Sequence, residues 1–382
     1  MIYFDNAATT YPKPEEVYSF MDKFYRECGV NIGRGQHTLA HKASNLLEET
    51  KDFLKDLFDA KNKEIAFTPS ATESLNIVLR GLPWNKQSVV YITPFEHNSV
   101  LRVLYHLQKK YDIEIRELSV NKLTLEYEFE KIKYDFQEYH PDVVIMSHAS
   151  NMCGLIAPIK EICDLAKNYD AVTVVDMAQT AGLIPVSLAS VKADYTIFAA
   201  HKTLYGSFGL SGIILDSKSS ISPFLYGGSG LNSASPDVPD TVPERFEIGS
   251  QNIQAIAALN AALKWIGKQG VDAIYDKEKH YTKKMIEIFS RYSNIKIIGY
   301  KNENSNIGVI SCVFDGYSSD NIGQVLNQHD IAVRTGLQCS PLAHKFFNTF
   351  PGGTVRFSIG YFNDDDDLKK LSEVLDYIEL NG

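Results

Sequence analysis

Cysteine is scarce in this chain. Five residues, Cys28, Cys153, Cys163, Cys312 and Cys339, are spread over 382 positions without a C-x-x-C pair. That scatter argues against a disulfide framework or a structural zinc site, so a special cysteine here would act as a single thiol. Long apolar runs are absent as well, and nothing approaches the ~18 residues that a membrane span needs. There is no Lys/Arg run, and the net charge is −9, so the electrostatic footprint of a nucleic-acid binder is missing. The opening residues, MIYFDNAATTYPKPEE, lack the basic start and apolar stretch of a secretory signal. Internal repeats and low-complexity segments are missing too. The expectation is a cytoplasmic protein with neither membrane nor nucleic acid as partner.

What is present reads as an ordinary globular chain, 44% hydrophobic and 22% charged. Its length exceeds what one small core holds, which predicts two domains. Residues 42–60 place Leu46, Leu47, Phe53, Leu54, Leu57 and Phe58 on one helical face. From there, Val- and Ile-rich runs alternate with helical stretches: EIAFT (64–68), SVVYIT (88–93), DVVIMS (142–147), VTVVD (172–176), YTIFAA (195–200) and SGIILD (211–216). Runs without strict alternation suit parallel strands buried on both faces, and their order implies an α/β fold with a largely parallel, helix-covered sheet. Ligands in such folds sit beyond the carboxyl ends of the strands. A Gly/Ser/Pro-dense stretch, 227–252, reads as irregular. A helix from about Ile253 to Lys268 stops at Gly270, and a smaller α/β unit follows with strands at 307–314, 331–335 and 354–360. The last helix begins near Asn363, where Asp364–Asp367 suit the positive end of its dipole. The domain boundary is expected near 255–270.

Four strand ends carry polar groups. TPSATESLN (68–76) is a strand-to-helix turn whose free N–H groups suit a phosphate, although Ser70 with Glu73 also spells an ordinary capping box. His97 follows the strand at 88–93, a position where a lone histidine is more often a surface or capping residue. Asp176 ends the strand 172–176, with Gln179 three residues on; it too reads as a helix cap if taken alone. Lys202, in FAAHKTLYGSFGLSG, follows an apolar strand among small residues, so its amine is open to desolvation that lowers its pKa. Gly206, Gly209 and Gly212 would let backbone approach a ligand closely. Together the four points fit one cofactor, pyridoxal 5'-phosphate (PLP), whose pyridine nitrogen requires an acidic partner and whose aldehyde requires a lysine.

The ordered series FDNAATTYPKP, GRGQHTLA, TPSATES, EHNS, VVDMAQTAG, AAHKTLYG, PERFEIGSQN and VRTGLQC resembles the class V aminotransferases, and within them the cysteine desulfurases. The resemblance covers nearly the whole chain. It implies the type I fold of PLP-dependent transferases, with a large domain built on a mostly parallel seven-stranded sheet and a smaller C-terminal α/β domain. The implied division is 1–15, an N-terminal segment packing with the small domain; 16–260, the PLP-binding domain; and 261–382, the small domain with a catalytic cysteine loop. By position, it implies that Lys202 holds the cofactor and Asp176 pairs with the pyridine nitrogen. Gln179 would bond the phenolic oxygen, and His97 would stack on the ring with a catalytic part. Ala71, Thr72 and His201 would hold the phosphate. Ser250 would reach the phosphate of a neighbouring subunit, which implies a homodimer. Asn151 would touch cofactor and substrate, and Arg356 would clamp the substrate carboxylate, a task suited to a bidentate guanidinium. Arg334 and His37 match positions near the substrate. One departure stands out: Ala199 occupies the position where the family has a phosphate-binding Ser or Thr, a loss of about 1.5–3 kcal/mol if nothing replaces that bond.

Cys339 decides the subclass. Most free cysteines are small buried hydrophobes, yet this one lies in AVRTGLQCSPLAHK, close to the desulfurase R-T-G-x-x-C segment. Arg356 follows 17 residues later, a spacing that resembles the branch with a compact cysteine loop, which also includes selenocysteine lyases. The resemblance implies conversion of L-cysteine to L-alanine, with a persulfide left on Cys339 for an unidentified acceptor protein. A selenocysteine lyase acting on L-selenocysteine would share every motif. An aminotransferase would leave Cys339 without a task. A silent binding or scaffold protein would have no reason to keep Lys202, Asp176, Arg356 and Cys339 together.

Overall fold

The computed structural model describes residues 1–32, 35–228 and 234–381. Gly33 and Arg34 of the GRGQHTLA segment, and residues 229–233 of the Gly/Ser/Pro-dense stretch, lie outside the described residues. The chain opens with β1 (Ile2–Tyr3), α1 (Glu15–Cys28), α2 (Thr38–Leu57), β2 (Glu64–Thr68), α3 (Ala71–Gly81), β3 (Val89–Ile92), α4 (Asn98–Tyr111) and β4 (Glu114–Glu117). It continues with α5 (Phe129–Glu138), β5 (Val143–Ser147), α6 (Ile159–Lys167), β6 (Val172–Asp176), α7 (Leu188–Val191), β7 (Tyr195–Ala199), β8 (Ser211–Leu215) and α8 (Ile253–Gln269). It closes with α9 (Val271–Phe289), β9 (Ile295–Ile298), β10 (Val309–Phe314), α10 (Ser319–Gln328), β11 (Ile331–Ala332), β12 (Arg334–Gly336), α11 (Pro341–Phe346), β13 (Thr354–Ser358) and α12 (Asp365–Asn381).

Seven strands form the main sheet in the order β2-β8-β7-β6-β5-β3-β4. From β7 to β4 they run parallel, while β8 lies antiparallel between β2 and β7. Strands β5, β7 and β8 are buried at every position, as their Val/Ile runs require in a sheet covered on both faces. Each such side chain contributes about 1.5–3 kcal/mol by leaving water. Gly212 belongs to this packing, because a Cβ there would stand 2.5 Å from the Phe198 ring. Gly206 likewise packs on Ala200, with its N–H donating to the Ala200 carbonyl at 2.7 Å. These two glycines therefore serve the scaffold around Lys202, where the sequence suggested close approach to a ligand.

Three strands escape the sequence reading, β1, β4 and β9. All are edge strands of two to four residues with partly or fully exposed side chains, so none leaves a continuous apolar run. Helix α2 starts earlier than its apolar stripe suggests, because the His37 ring accepts the Ala40 N–H at 3.1 Å and caps it there. Helix α8 is mostly apolar and mostly buried, packed against α1 and α2. It ends at Gly270 (φ 84°), a left-handed position that glycine adopts without strain. Asp364 caps α12, accepting the N–H groups of Asp366 and Asp367 at 3.0 and 3.1 Å.

The second sheet, β12-β13-β10-β9, is antiparallel throughout. The N-terminal strand β1 pairs with β11, Ile2 opposite Ile331 and Tyr3 opposite Ala332. Phe4 then sinks into the core that this sheet shares with α9 and α12, beside Phe357 and Leu371. The consequence for function is placement: the chain's first residues are fixed against the ends of β12 and β13. Among the described residues, no helix is long and apolar enough to cross a membrane, and no His/Cys/Asp/Glu cluster could hold a metal ion.

Candidate active site

A cavity of about 200 Å³ opens at the carboxyl ends of the parallel strands. Its wall includes Ser147 from β5, Asp176 from β6, Ala199 from β7, and Lys202 and His201 from the turn that follows. Ala71 and Thr72 enter from the start of α3, and His97, Asn151 and Gln179 complete the wall. A second cavity of about 290 Å³ adjoins it, sharing Thr72, His97 and Ser99, and Cys339 lies in its wall with Arg80, Arg102 and His106.

Each group has a local reason for its pose. The Ser70 hydroxyl accepts the Glu73 N–H at 3.1 Å, so the N-cap half of the capping box forms. The first N–H groups of a helix have no carbonyl partner within it, which leaves those of Ala71 and Thr72 at the cavity wall. Asp176 is buried, and its Oδ1 accepts the Ala178 N–H at 2.8 Å. Burial pushes its carboxyl pKa upward, against that bond and the charge of Lys202. Burial also brings the Lys202 amine down to about 8, with Asp176 pulling the other way. Gln179 donates from Nε2 to the Ala7 carbonyl at 2.9 Å.

His97 caps α4, its Nδ1 accepting the Ser99 N–H at 3.0 Å, and it lines both cavities at once. Burial, followed by the charges of Lys202, Arg356 and Arg102, holds its pKa near about 4, so the ring is neutral at neutral pH. His201 stacks on Phe208 with ring centres 4.6 Å apart, and its buried Nδ1 has no partner among the described residues. Burial takes that imidazole down to about 3. Ala199 is buried in the cavity wall and offers no donor from its side chain.

The loop carrying Cys339 is compact and strained. Gly336, Gln338 and Cys339 have φ of 84°, 40° and 60°, the left-handed region that side-chain-bearing residues avoid. Hydrogen bonds hold it there. The Asn98 N–H donates to the Cys339 carbonyl at 2.8 Å, and Asn151 Nδ2 donates to the Gln338 carbonyl at 2.7 Å. Ser340 donates to Asn151 Oδ1 at 2.5 Å, while Gln338 bonds Thr354 and His344. Cys339 itself is exposed, and the other four cysteines are buried.

Arg356 is buried on β13. Its Nη1 donates to the Asn151 carbonyl at 2.9 Å and its Nη2 to Asp5 at 2.8 Å, while Nε has no partner among the described residues. Arg334, on β12, stands 3.3 Å from the same Asp5 carboxylate. Four residues expected near the site lie outside both cavity walls: Arg356 and Arg334, His37, which is exposed at the start of α2, and Ser250, which is exposed ahead of α8.

Several participants went unassigned at the sequence level although their segments were singled out. Asp5 lies in FDNAATT and Glu96 in EHNS. The Glu96 carboxylate is fully buried behind His97, bonded to Thr93 Oγ1 at 2.5 Å and to the N–H and hydroxyl of Ser147 at 2.8 and 2.9 Å. Burial lifts it to about 7. Lys13, in YPKP, donates to the His201 carbonyl at 2.6 Å and to Thr10 Oγ1 at 2.7 Å, and burial takes its amine to about 7. A charged residue inside an otherwise apolar or small-residue motif was the available signal in each case.

A sheet of this order defines an α/β scaffold in which a lysine, a buried carboxylate and a helix N-terminus surround one cavity. Residues 2–371 match the family described as Aminotransferase class-V, and the chain belongs to that family. Among its relatives is a "Probable cysteine desulfurase" of Pyrococcus abyssi, 31% identical, with 98% of this chain and 94% of that protein covered. Another, of Methanothermobacter thermautotrophicus and of the same name, is 29% identical over 100% of this chain and 95% of its own length. The apo structure of cysteine desulfurase from Thermococcus onnurineus superposes with a TM-score of 0.91 at 28% identity, covering 99% of this chain and 94% of that one. A cysteine desulfurase from Escherichia coli, 21% identical, shares the fold with a TM-score of 0.88 over 99% of this chain and 94% of its own.

Proposed function

We propose that this chain is a PLP-dependent cysteine desulfurase that converts L-cysteine to L-alanine and keeps the sulfur as a persulfide on Cys339. The observation that carries the reading is the pair of adjoining cavities, one lined by Lys202, Asp176 and Gln179, the other by Cys339, with His97 common to both. The names of the relatives support it. The donor set fits PLP. Among the described residues, Lys202 is the one cation acting on the buried Asp176 carboxylate, and a protonated pyridine nitrogen would supply another. The Ala71 and Thr72 amides with the unpartnered His201 Nδ1 suit the phosphate, which compensates for Ala199.

When bound, PLP supplies an electron sink for the carbon that loses its proton. The protein's own groups do the rest. Lys202 would hold the cofactor through Nζ, and burial, which brings its amine down to about 8, would favour the neutral form that takes the substrate Cα proton. Asp176 would keep the pyridine nitrogen protonated, Gln179 would bond the phenolic oxygen, and neutral His97 would stack on the ring. Asn151 and the free Nε of Arg356 orient the substrate carboxylate, with Arg334 and His37 at the approach. The Cys339 thiolate attacks the substrate sulfur. The Sγ–S bond forms as the Cβ–S bond breaks, the carbon gains a proton, and the balance is cysteine plus Cys339 thiol to alanine plus Cys339 persulfide.

The rest of the reading follows from this chemistry. Ser250 serves a neighbouring subunit in a cytoplasmic homodimer, the small domain begins near residue 261, and the persulfide passes to an acceptor protein that presents a thiol. The test is direct. Purified protein incubated with L-cysteine and a thiol reductant should release alanine and sulfide in equal amounts. Amino-group transfer to a keto acid without sulfide would favour an aminotransferase instead, and turnover of L-selenocysteine alone would favour a selenocysteine lyase.

A further inference from the structure

Strands β12 and β13 place Arg334 directly opposite Arg356. Like charges in cross-strand register repel, and one of these guanidiniums is buried. A single carboxylate answers both. Asp5, carried in by the end of β1 and bridged to Ser358, gives Oδ1 to Arg356 at 2.8 Å and Oδ2 to Arg334 at 3.3 Å. The pocket therefore holds two positive charges and one negative. Lys202 and Cys339 lie close enough to feel or exert the charge of Arg356, and Tyr3, from the same N-terminal segment, feels Asp5 and both arginines. Arg356 keeps one donor, Nε, unpartnered among the described residues.

We infer that Asp5 is a specificity-determining residue: it holds the two-arginine pocket at one net positive charge, so that the pocket takes amino acids with a single carboxylate and rejects those bearing a second negative group. This rests on the proposed role of Arg356 with an amino-acid substrate. An ion triad with no part in recognition would tie β1 to the second sheet and do nothing to selectivity. Charge and geometry separate the two ideas. Asp5→Asn keeps an oxygen to accept from Arg356 but removes the charge, which leaves a pocket of net charge +2 that should welcome a second carboxylate.

The experiment titrates PLP-loaded protein with L-alanine and with L-aspartate, following the cofactor's visible absorbance and the heat of binding, and compares the ratio of the two affinities. Asp5→Asn should shift that ratio toward aspartate by about tenfold, the size of effect one charge exerts at a partly buried site. Asp5→Glu, which keeps the charge, should hold the wild-type ratio. Arg334→Gln, at a half-exposed position where folding is not at stake, should move the ratio away from aspartate. An unchanged ratio in Asp5→Asn, an Asp5→Glu ratio that follows Asp5→Asn, or an Arg334→Gln shift toward aspartate would each overturn the inference. Should wild-type protein release no alanine from L-cysteine, the proposed activity fails while the titration still reads the carboxylate pocket.

Discussion

Cys339 shows how a residue of an unremarkable type acquires a function from its surroundings. Four of the five thiols are buried, and burial pushes those of Cys153, Cys163 and Cys312 upward, away from the reactive thiolate. Only Cys339 is exposed, on backbone held in left-handed φ by its neighbours' hydrogen bonds. The expected outcome of Cys339→Ala follows. The cofactor's visible absorbance should be kept, because the thiol belongs to the second cavity, and alanine release from L-cysteine should fall by ~3 orders of magnitude or more, as for loss of a nucleophile. Replacing any one of the buried cysteines by Ser or Ala should leave turnover within about twofold of wild type. Mass spectrometry after a brief cysteine pulse should find the added sulfur on the peptide containing Cys339. Alanine release at the wild-type rate by Cys339→Ala would remove the desulfurase reading.

Among the elements, the parallel strands were legible because burial on both faces leaves an unbroken Val/Ile run, and the polar residue that ends each run then stands out. Asp176 and Lys202 were found in that way, and the Ser70 cap was read at the same time as the turn it supports. Asp5 with Arg356 was not, because a contact across 351 positions leaves no local pattern, and both partners look like surface charges until β1 is docked. The same holds for Glu278 on α9. Its carboxyl is buried against the Tyr205 hydroxyl at 3.2 Å, in the turn that carries Lys202, and burial raises it to about 8 from an ordinary 4.5. The folded chain thus keeps a proton that the unfolded chain releases between those values. The stabilising protonated form is complete below about 4.5 and lost as pH rises through about 8. Glu278→Gln keeps a neutral side chain of the same shape. Between pH 6 and pH 9 the thermal midpoint of the wild type should therefore fall further than that of the variant, by ~3 °C or more. Parallel curves for the two proteins would show that this contact does not titrate.

At the scale of the whole molecule, Ser250 is the residue on which the proposed composite site can be tested. Ser250 is exposed, lies in neither cavity wall, and precedes the buried helix α8. On the proposed reading, that hydroxyl would serve a neighbour's phosphate and not the cofactor of its own Lys202. Ser250→Ala alone should weaken PLP retention by a factor of ~10 to 100, the loss of one bond to a charged group. Lys202→Ala alone should abolish turnover. A mixture of the two variants, unfolded and refolded together or co-expressed with distinguishable tags, settles which chain Ser250 serves. If the hydroxyl acts across the interface, one site of the mixed dimer collects both lesions and the other collects neither. The isolated mixed dimer should then hold PLP at one site as tightly as the wild type does and turn over L-cysteine at about half the wild-type rate per dimer, on simple addition of independent sites. If Ser250 acts within its own chain, every site in the mixture carries one lesion, and no site regains wild-type retention. Sedimentation of the wild type must also give a dimer at the assay concentration. A fully active monomer, or a mixed dimer no better than its parents, would end the composite-site reading.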